Sequence, residues 1–453
     1  MQVELEVTSG LKRRLTITIP SDQIEEGINK RLQDLSRRIR LDGFRPGKAP
    51  MKVLKRRYGE GARQEVLDKM IQSSFVEAVG QENLNPAGVP SVEPVSKGQN
   101  EDFQFIASFE VYPEIELGNF AAISVERPVA DVNEADVDEM INTLKQQSRT
   151  FEEINRGAEQ GDQVTLDYQG TLDGEPFDGG SAENAELELG SGRMIPGFDD
   201  GLVGMMAGEE KVLKLTFPED YHAKKLAGKT AEFSCKVSKV STPVEPELDN
   251  AFFERFGVKD GNLEAFRSEV AKNMQRELRQ AVKGKIKSQV MDGLLKLHDI
   301  EVPSVLISQE IDRMREQAVQ SWNGENNDFD PKQLPAQLFE TQAKKRIALG
   351  LLVNEVVKQR KVEVDDERVR VMVEEMAAAY QQPQDVIDWY YNNDQQLSQV
   401  KYIVLEEQVV DTILESANVS EKACSYQDAI KPEQKQQEEA ADVVDDKSVE
   451  QET

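Results

Sequence analysis

The residues best suited to chemistry lie in the stretch Gly43-Phe44-Arg45-Pro46-Gly47-Lys48-Ala49-Pro50. Two glycines and two prolines in eight positions cannot continue a helix, so the stretch is a tight, stiffened loop. It offers one aromatic ring and two cations, and both flanks read as basic helices. Between Lys30 and Arg57 the chain carries eleven Lys/Arg against two Asp, whereas its formal net charge is −29. A cationic, aromatic-tipped loop on an acidic protein points to an anionic docking partner. The plainer reading of the loop alone is a solvated turn between charged helices.

The rest of the chain offers little for covalent or metal chemistry. Its two cysteines, Cys235 and Cys424, and its two histidines, His222 and His298, stand apart, with no CxxC pair and no ligand spacing. That pattern excludes a disulfide framework or a zinc site and leaves almost no material for a His-based triad. Gly190-Ser191-Gly192 lacks the GxGxxG spacing and a long following helix, so it is not a dinucleotide loop. No GxxxxGK[ST] occurs, so any holding and release of a partner would proceed without ATP. The opening residues carry charges where a signal peptide needs an apolar run, and no run of about 18 apolar residues follows. The expectation is a soluble, cytoplasmic protein with no cofactor, no metal, no membrane contact and no DNA partner.

The elements that hold the loop are legible from periodicity. Val3, Leu5, Val7, then Leu11, Leu15, Ile17 and Ile19 alternate, which predicts two strands broken at Ser9-Gly10. Ser21 reads as an N-cap for a helix with Ile24, Ile28, Leu32, Leu35 and Ile39 on one stripe, ending at Asp42-Gly43. Two further helices are predicted over Met51–Tyr58 and Ala62–Val79, then a strand over Phe103–Val111. Ile123–Val129 reads as extended and Glu134–Phe151 as helical. From Gly157 to about Val244 glycines are dense and β-branched alternation dominates, with one helical turn near Gly197–Val203. Beyond Pro246 the pattern is helical. Phe266, Val270, Met274, Leu278, Val282, Ile286, Val290 and Leu294 recur every four residues, so the stripe drifts round its helix and should meet different partners along its length. Helices over Pro303–Trp322, Pro335–Lys361, Asp365–Tyr380, Pro383–Asn392 and Gln395–Ala417 follow, and residues 432–453 form an acidic tail expected to be disordered.

Four motifs in this order, VTLDYQG at 164–170, DGEPFDGG at 173–180, LGSGRMIPGFDDG at 189–201 and FPEDYH at 217–222, resemble the FKBP family of peptidyl-prolyl isomerases. The resemblance implies pocket walls from Tyr168, Phe177, Ile195, Phe198, Tyr221 and Phe233, with Asp178 as the polar edge. Phe198 stands where many relatives place a tryptophan. Ala185 and Ala223 replace aromatics that the family often carries, which implies a shallower or looser pocket. The chemistry needs no acid, base or nucleophile. An X–Pro amide resists rotation because its nitrogen lone pair is delocalised, with a barrier of about 18–20 kcal/mol. The twisted transition state is less dipolar, so an apolar pocket that strips water from the amide favours it over the planar ground state.

The basic loop, the FKBP-like segment and the long helical C-terminal part together resemble the bacterial trigger factor family, to about residue 430. The resemblance implies a multidomain α+β protein. It would have an N-terminal α+β domain with a helical-hairpin docking loop over 1–115, and a linker and first part of the helical domain over 116–156. A central FKBP-like β-rich domain over 157–245, an elongated all-α C-terminal domain with arms over 246–431 and the tail over 432–453 complete it. The segment near 116–149 would pack with 246–430. It further implies a chaperone that docks through Gly43, Phe44, Arg45, Pro46, Gly47 and Lys48 on the large ribosomal subunit, against an exit-tunnel ribosomal protein and rRNA. Its clients would be nascent and unfolded polypeptides, and a homodimer off the ribosome stays open. Pro46 replaces a lysine common in relatives. The family's association with the cell cycle and cell division has no residue-level basis here. Two alternatives stand beside this: a free FKBP-type isomerase whose helical part only recruits substrates or dimerises, and a chaperone whose FKBP-like domain is only a binding surface.

Overall fold

The structure is a computed structural model that describes residues 2–38, 44, 50–95, 102–221, 223–224, 226–258, 261–323, 329–378, 380 and 382–432. Ile39 and the predicted tail beyond 432 lie outside the described residues. The chain divides into two compact units, Met1–Arg127 with Gly284–Lys422, and Pro128–Lys283 with Ala423–Thr453.

In the first unit, strands β1 (Gln2–Ser9) and β2 (Lys12–Ile19) pair antiparallel with Val3 opposite Ile17 and Leu5 opposite Leu15. Helices α1 (Ser21–Arg38) and α2 (Met51–Gln81) follow, then β3 (Ser91–Pro94) and β4 (Phe103–Glu110), giving the sheet order β1-β2-β4-β3. The period-two pattern turns Leu15, Ile17, Ile19, Phe103, Phe105 and Phe109 to one face. There Ile24, Ile28 and Leu32 of α1 and Leu54, Val66 and Leu67 of α2 bury them.

Three details differ from expectation. Ser21 is the first helical residue and not the cap, because Pro20 O already accepts the N–H of Gln23. The Ser21 amide is satisfied from a distance, by Asp102 Oδ1 at 2.9 Å. The two predicted helices over 51–79 are one: α2 runs through Gly59 and Gly61, whose cost of about 1 kcal/mol each is outweighed by burial of Leu54 and Ala62 on either side. The short, exposed strand β3 was too brief to show alternation.

Strand β5 (Ser124–Val129) leads to α3 (Glu134–Gln147), which opens on a capping box between Asn133 and Asp136. The helix stops at Gln147, short of Phe151. Thr150–Glu153 form strand β6 instead, with Phe151 opposite Pro243. A β-branched residue followed by an aromatic fits a pleated edge better than a fourth helical turn.

The glycine-rich segment is a five-stranded antiparallel sheet. Its centre is the long strand β10 (Thr230–Val244). β7 (Gln163–Leu172) lies on one side of it, followed by β8 (Glu175–Glu188). β9 (Glu210–Thr216) and β6 succeed one another along the other side. The short helix α4 (Phe198–Leu202) presses Phe198 and Leu202 onto the inward residues Val164, Leu166, Leu213, Phe233 and Val237.

Helices α5 (Asn250–Arg255), α6 (Leu263–Leu297), α7 (Ser304–Asn323), α8 (Gln337–Arg360), α9 (Asp366–Ala377), α10 (Pro383–Tyr391) and α11 (Asp394–Leu414) make up most of the remainder. Strand β11 (Asn418–Ala423) and α12 (Tyr426–Ile430) close it, and neither was read from the sequence. β11 pairs with β5, so the C-terminal part includes a strand. The four-residue stripe of α6 behaves as its drift requires. Phe266, Val270, Met274 and Leu278 pack with Val137, Ile141, Phe252, Phe253 and Tyr426 in the second unit. Val290 and Leu294 pack with Phe120, Leu352, Val356, Val409 and Ile413 in the first. Smaller clusters join α7 to α8 through Ile311, Met314 and Ala343, and α9 to α11 through Val369, Val373, Val400 and Val404. Among the described residues, no helix is long and apolar enough to cross a membrane.

Candidate functional site

Tyr168 and Phe233 reach the same place because β7 and β10 are neighbours in register, Cys235 facing Tyr168 and Phe233 facing Gly170. α4 sets Phe198 beneath them, fully buried, with ring centroids 5.6 Å from Tyr168 and 5.5 Å from Phe233, both edge-to-face. Phe177 of β8 stands edge-on to Phe233 at 6.1 Å and to Phe217 at 5.9 Å. Tyr221 leans on Phe217 at 4.7 Å. Edge-to-face pairs of this kind contribute about 0.5–1.5 kcal/mol each beyond their buried area, so the wall is stiff.

Tyr168, Phe177, Phe217, Tyr221 and Phe233 wall an open cavity of about 450 Å³, completed by Met194, Ile195 and Pro196 from the loop before α4. Close approach is what the glycines that close VTLDYQG and DGEPFDGG supply. A Cβ on Gly180 would lie 2.6 Å from the Phe177 ring, and one on Gly170 would lie 2.7 Å from Phe233. The single charged side chain among the described lining residues is Arg193, at the rim. Cys235, in the core beside the wall, has its thiol pushed up to about 11 by burial, so it is neither an acid–base group nor a nucleophile near neutral pH. Among the described residues, no three His, Cys, Asp or Glu gather as a metal site.

Such a cavity can desolvate an amide and hold a flat, apolar ring, and it has little else to offer. A wider depression of about 710 Å³ lies over Asp167, Gln169, Glu210 and Lys236. Its walls are polar and its Lys236–Glu210 ion pair spans 2.8 Å, so it suits amide desolvation poorly.

Six of the seven residues anticipated for the pocket come together. Tyr168, Phe177, Ile195, Tyr221 and Phe233 line it, and Phe198 lies under it. The side chain of Asp178 lies outside the described residues, as does His222. Ala185 is half-buried against the domain core in β8, opposite Leu166, so it fills a core position. Sequence reasoning missed Phe217 as a wall, along with Met194 and Pro196. Phe217 closes an alternating strand and passes for core, but its four-residue spacing to Tyr221 was the available signal.

Of the docking stretch, Gly43, Arg45, Pro46, Gly47 and Lys48 lie outside the described residues. Phe44 is described and is 40% exposed. The flanking helices are tied to each other by ion pairs, Lys55 to Glu25 at 2.9 Å and Arg31 to Glu65 at 2.7 Å. The Arg31 hydrogen bond holds the Glu65 carboxyl below its usual range. Lys30, Arg37, Lys52 and Arg56 are exposed.

An aromatic, almost uncharged cavity between an antiparallel sheet and one short helix defines an FKBP-type isomerase domain, and residues 155–238 match the family model for FKBP-type peptidyl-prolyl cis-trans isomerases. Residues 1–144 match the model for bacterial trigger factor protein, and residues 262–415 the model for its C-terminus. The trigger factor of Ectopseudomonas mendocina (strain ymp) is 55% identical over 432 residues, covering 95% of this chain and 98% of that protein. The trigger factor of Pseudomonas fluorescens (strain Pf0-1) is 54% identical over the same length, with the same coverage. A solved structure concerned with promiscuous substrate recognition in folding and assembly by the trigger factor chaperone matches at 19% identity and a TM-score of 0.48, covering 92% of this chain and 99% of that one. The chain belongs to the bacterial trigger factor family. It is a chaperone whose FKBP-type domain is a peptidyl-prolyl isomerase.

Proposed function

We propose that the chain docks through its basic N-terminal hairpin on the large ribosomal subunit near the nascent-chain exit. There it shelters emerging polypeptides without ATP and isomerises their X–Pro bonds in the cavity walled by Tyr168, Phe177, Ile195, Tyr221 and Phe233. The observation that carries the isomerase part is the aromatic-walled cavity with Arg193 as the single charge among its described lining residues, which strips water from an amide laid against its rings and favours the twisted, less dipolar transition state. Phe198 braces the floor, and Asp178 serves as the polar edge.

The docking part is supported by Phe44, an exposed ring within a segment of eleven Lys/Arg on a chain of net charge −29. Arg45 and Lys48 pair with rRNA phosphates or an acidic protein surface while the Phe44 ring enters an apolar pocket, and Gly43, Pro46 and Gly47 belong to the same docking stretch. Exposed apolar side chains of the helical part, including Leu338, Val371 and Met376, hold clients weakly. The working division of the chain is 1–115 for docking, 157–245 for isomerisation, and 116–156 with 246–431 for client holding. The place of action is the cytoplasm.

Pelleting with 70S ribosomes tests this. The chain should co-sediment at low salt and release as salt rises, because each phosphate contact liberates counterions. Phe44→Ala/Arg45→Ala should stay in the supernatant at both. Equal pelleting of the two proteins would reduce the loop to a turn between helices.

A further inference from the structure

One wall of the cavity is a loop, and a single carboxylate fastens it. Asp199 is the second residue of α4, and its Oδ2 accepts the N–H of Gly190 at 3.0 Å and of Gly192 at 3.4 Å. Those glycines have φ of +87° and +68°, so the backbone turns twice within three residues, in conformations that side chains resist. At the other end of the loop, Phe198 N–H donates to Ile195 O at 3.1 Å. Arg193, Met194, Ile195 and Pro196 hang between these two fastenings, and all four line the cavity. Asp199 itself does not.

The other oxygen, Oδ1, is buried and has no partner among the described residues. An asparagine, of the same length, would offer a neutral oxygen to the same amides with a smaller desolvation cost. A carboxylate kept there, with one oxygen unsatisfied, gains mainly the greater strength of charge-assisted bonds to the two amides.

We propose that Asp199 is a positioning residue for the isomerase, holding Met194, Ile195 and Pro196 at the height that closes the cavity over the substrate's proline. The proposal rests on the reading of that cavity as the isomerase site. Without the clasp the loop keeps its fold-encoded turn but samples a wider range of heights, and the cavity loses part of its power to exclude water.

The test uses the full chain with Asp199→Asn, Asp199→Ala and, as a separate control on the cavity, Tyr221→Ala. Protease-coupled turnover of a proline tetrapeptide is divided by the folded fraction from an unfolding curve. Amide exchange is read at Gly190 and Gly192 against the strand amides of Val164 and Leu166. Turnover should fall about tenfold for Asp199→Ala and about threefold for Asp199→Asn, which keeps a neutral acceptor. Exchange at Gly190 and Gly192 should quicken in the same order, with the strand amides unchanged. Wild-type turnover in Asp199→Ala, with Tyr221→Ala impaired, would overturn the role of Asp199 and leave the cavity standing. Strand amides opening as much as the two glycines would show a structural role alone and also overturn it. Wild-type turnover in Tyr221→Ala would remove the cavity assignment, and this proposal with it.

Discussion

Replacing Phe198 by alanine separates the floor of the site from its walls. The ring is fully buried, and it meets Tyr168 and Phe233 edge-to-face at 5.6 and 5.5 Å. Those two ring pairs contribute about 1–3 kcal/mol between them beyond area burial. Emptying a buried phenylalanine site costs about 3–5 kcal/mol in all, once the cavity left behind is included. The isomerase domain should therefore lose about 3–5 kcal/mol in urea, read from near-ultraviolet circular dichroism of its tyrosines, a large part of the 5–15 kcal/mol that holds a typical domain together. Even about 2 kcal/mol of remaining stability keeps about 97% of molecules folded, so a larger fall in turnover cannot be unfolding. With the floor gone, Tyr168 and Phe233 lose their brace and water enters beneath the proline. Turnover per folded molecule should drop at least about tenfold, equivalent to about 1.4 kcal/mol of transition-state stabilisation. A stability loss below about 1 kcal/mol would contradict the packing argument. Turnover within twofold of wild type would contradict the role of the floor.

Three further outcomes follow from buried side chains. Asp162 is almost wholly buried and takes both Arg156 guanidinium nitrogens, at 2.7 and 3.2 Å, plus the Glu159 amide at 2.8 Å. Arg156→Ala should cost about 2–3 kcal/mol in chemical denaturation, the low side for breaking a buried pair because Arg156 is itself part-exposed, and adding Asp162→Asn should return some of it. No recovery in the double variant would mean that the charge of Asp162 is not what Arg156 offsets. Burial raises the Cys235 thiol from its ordinary 9.0 to about 11, so the neutral form is favoured in the folded state. Its contribution is complete below about pH 9 and is lost as pH climbs towards 11, because the unfolded chain ionises first. Between pH 8 and 10.5 the wild type should lose more stability than Cys235→Ala. A thiol reagent at pH 8 should label Cys424 in the native chain and Cys235 only after unfolding, and rapid labelling of both would refute the burial argument.

Much of this architecture was legible because its signals are strong and local. Alternation of Leu15, Ile17 and Ile19 against Phe103, Phe105 and Phe109 specified strands and a shared face, and burial on that face followed. The drift of the Phe266–Leu294 stripe announced successive partners, which α6 has. Failures came where the deciding contact is distant in sequence. Nothing near Ser21 announces that Asp102 will satisfy its amide, and nothing around Gly59 reveals that burial on both sides carries α2 through. Phe151 joined the wrong element because its partner, Pro243, is far along the chain. The pocket was readable from its motifs, and the spacing of Phe217 to Tyr221 hinted at a further wall, but the Asp199 clasp emerges only when α4 is folded back against the Gly190–Gly192 turn.

The pairing of β6 with the end of β10 has a practical and an evolutionary side. Glu153 and Ser241 face each other across that ladder, so the chain leaves for its long catalytic detour and returns through one doorway. Everything between could be lifted out and the gap sewn shut with a two-residue hairpin turn, leaving the flanking ladder intact. A module mounted on such a hinge plate is easy for a lineage to acquire, exchange or discard, and the host chaperone need not be redesigned each time.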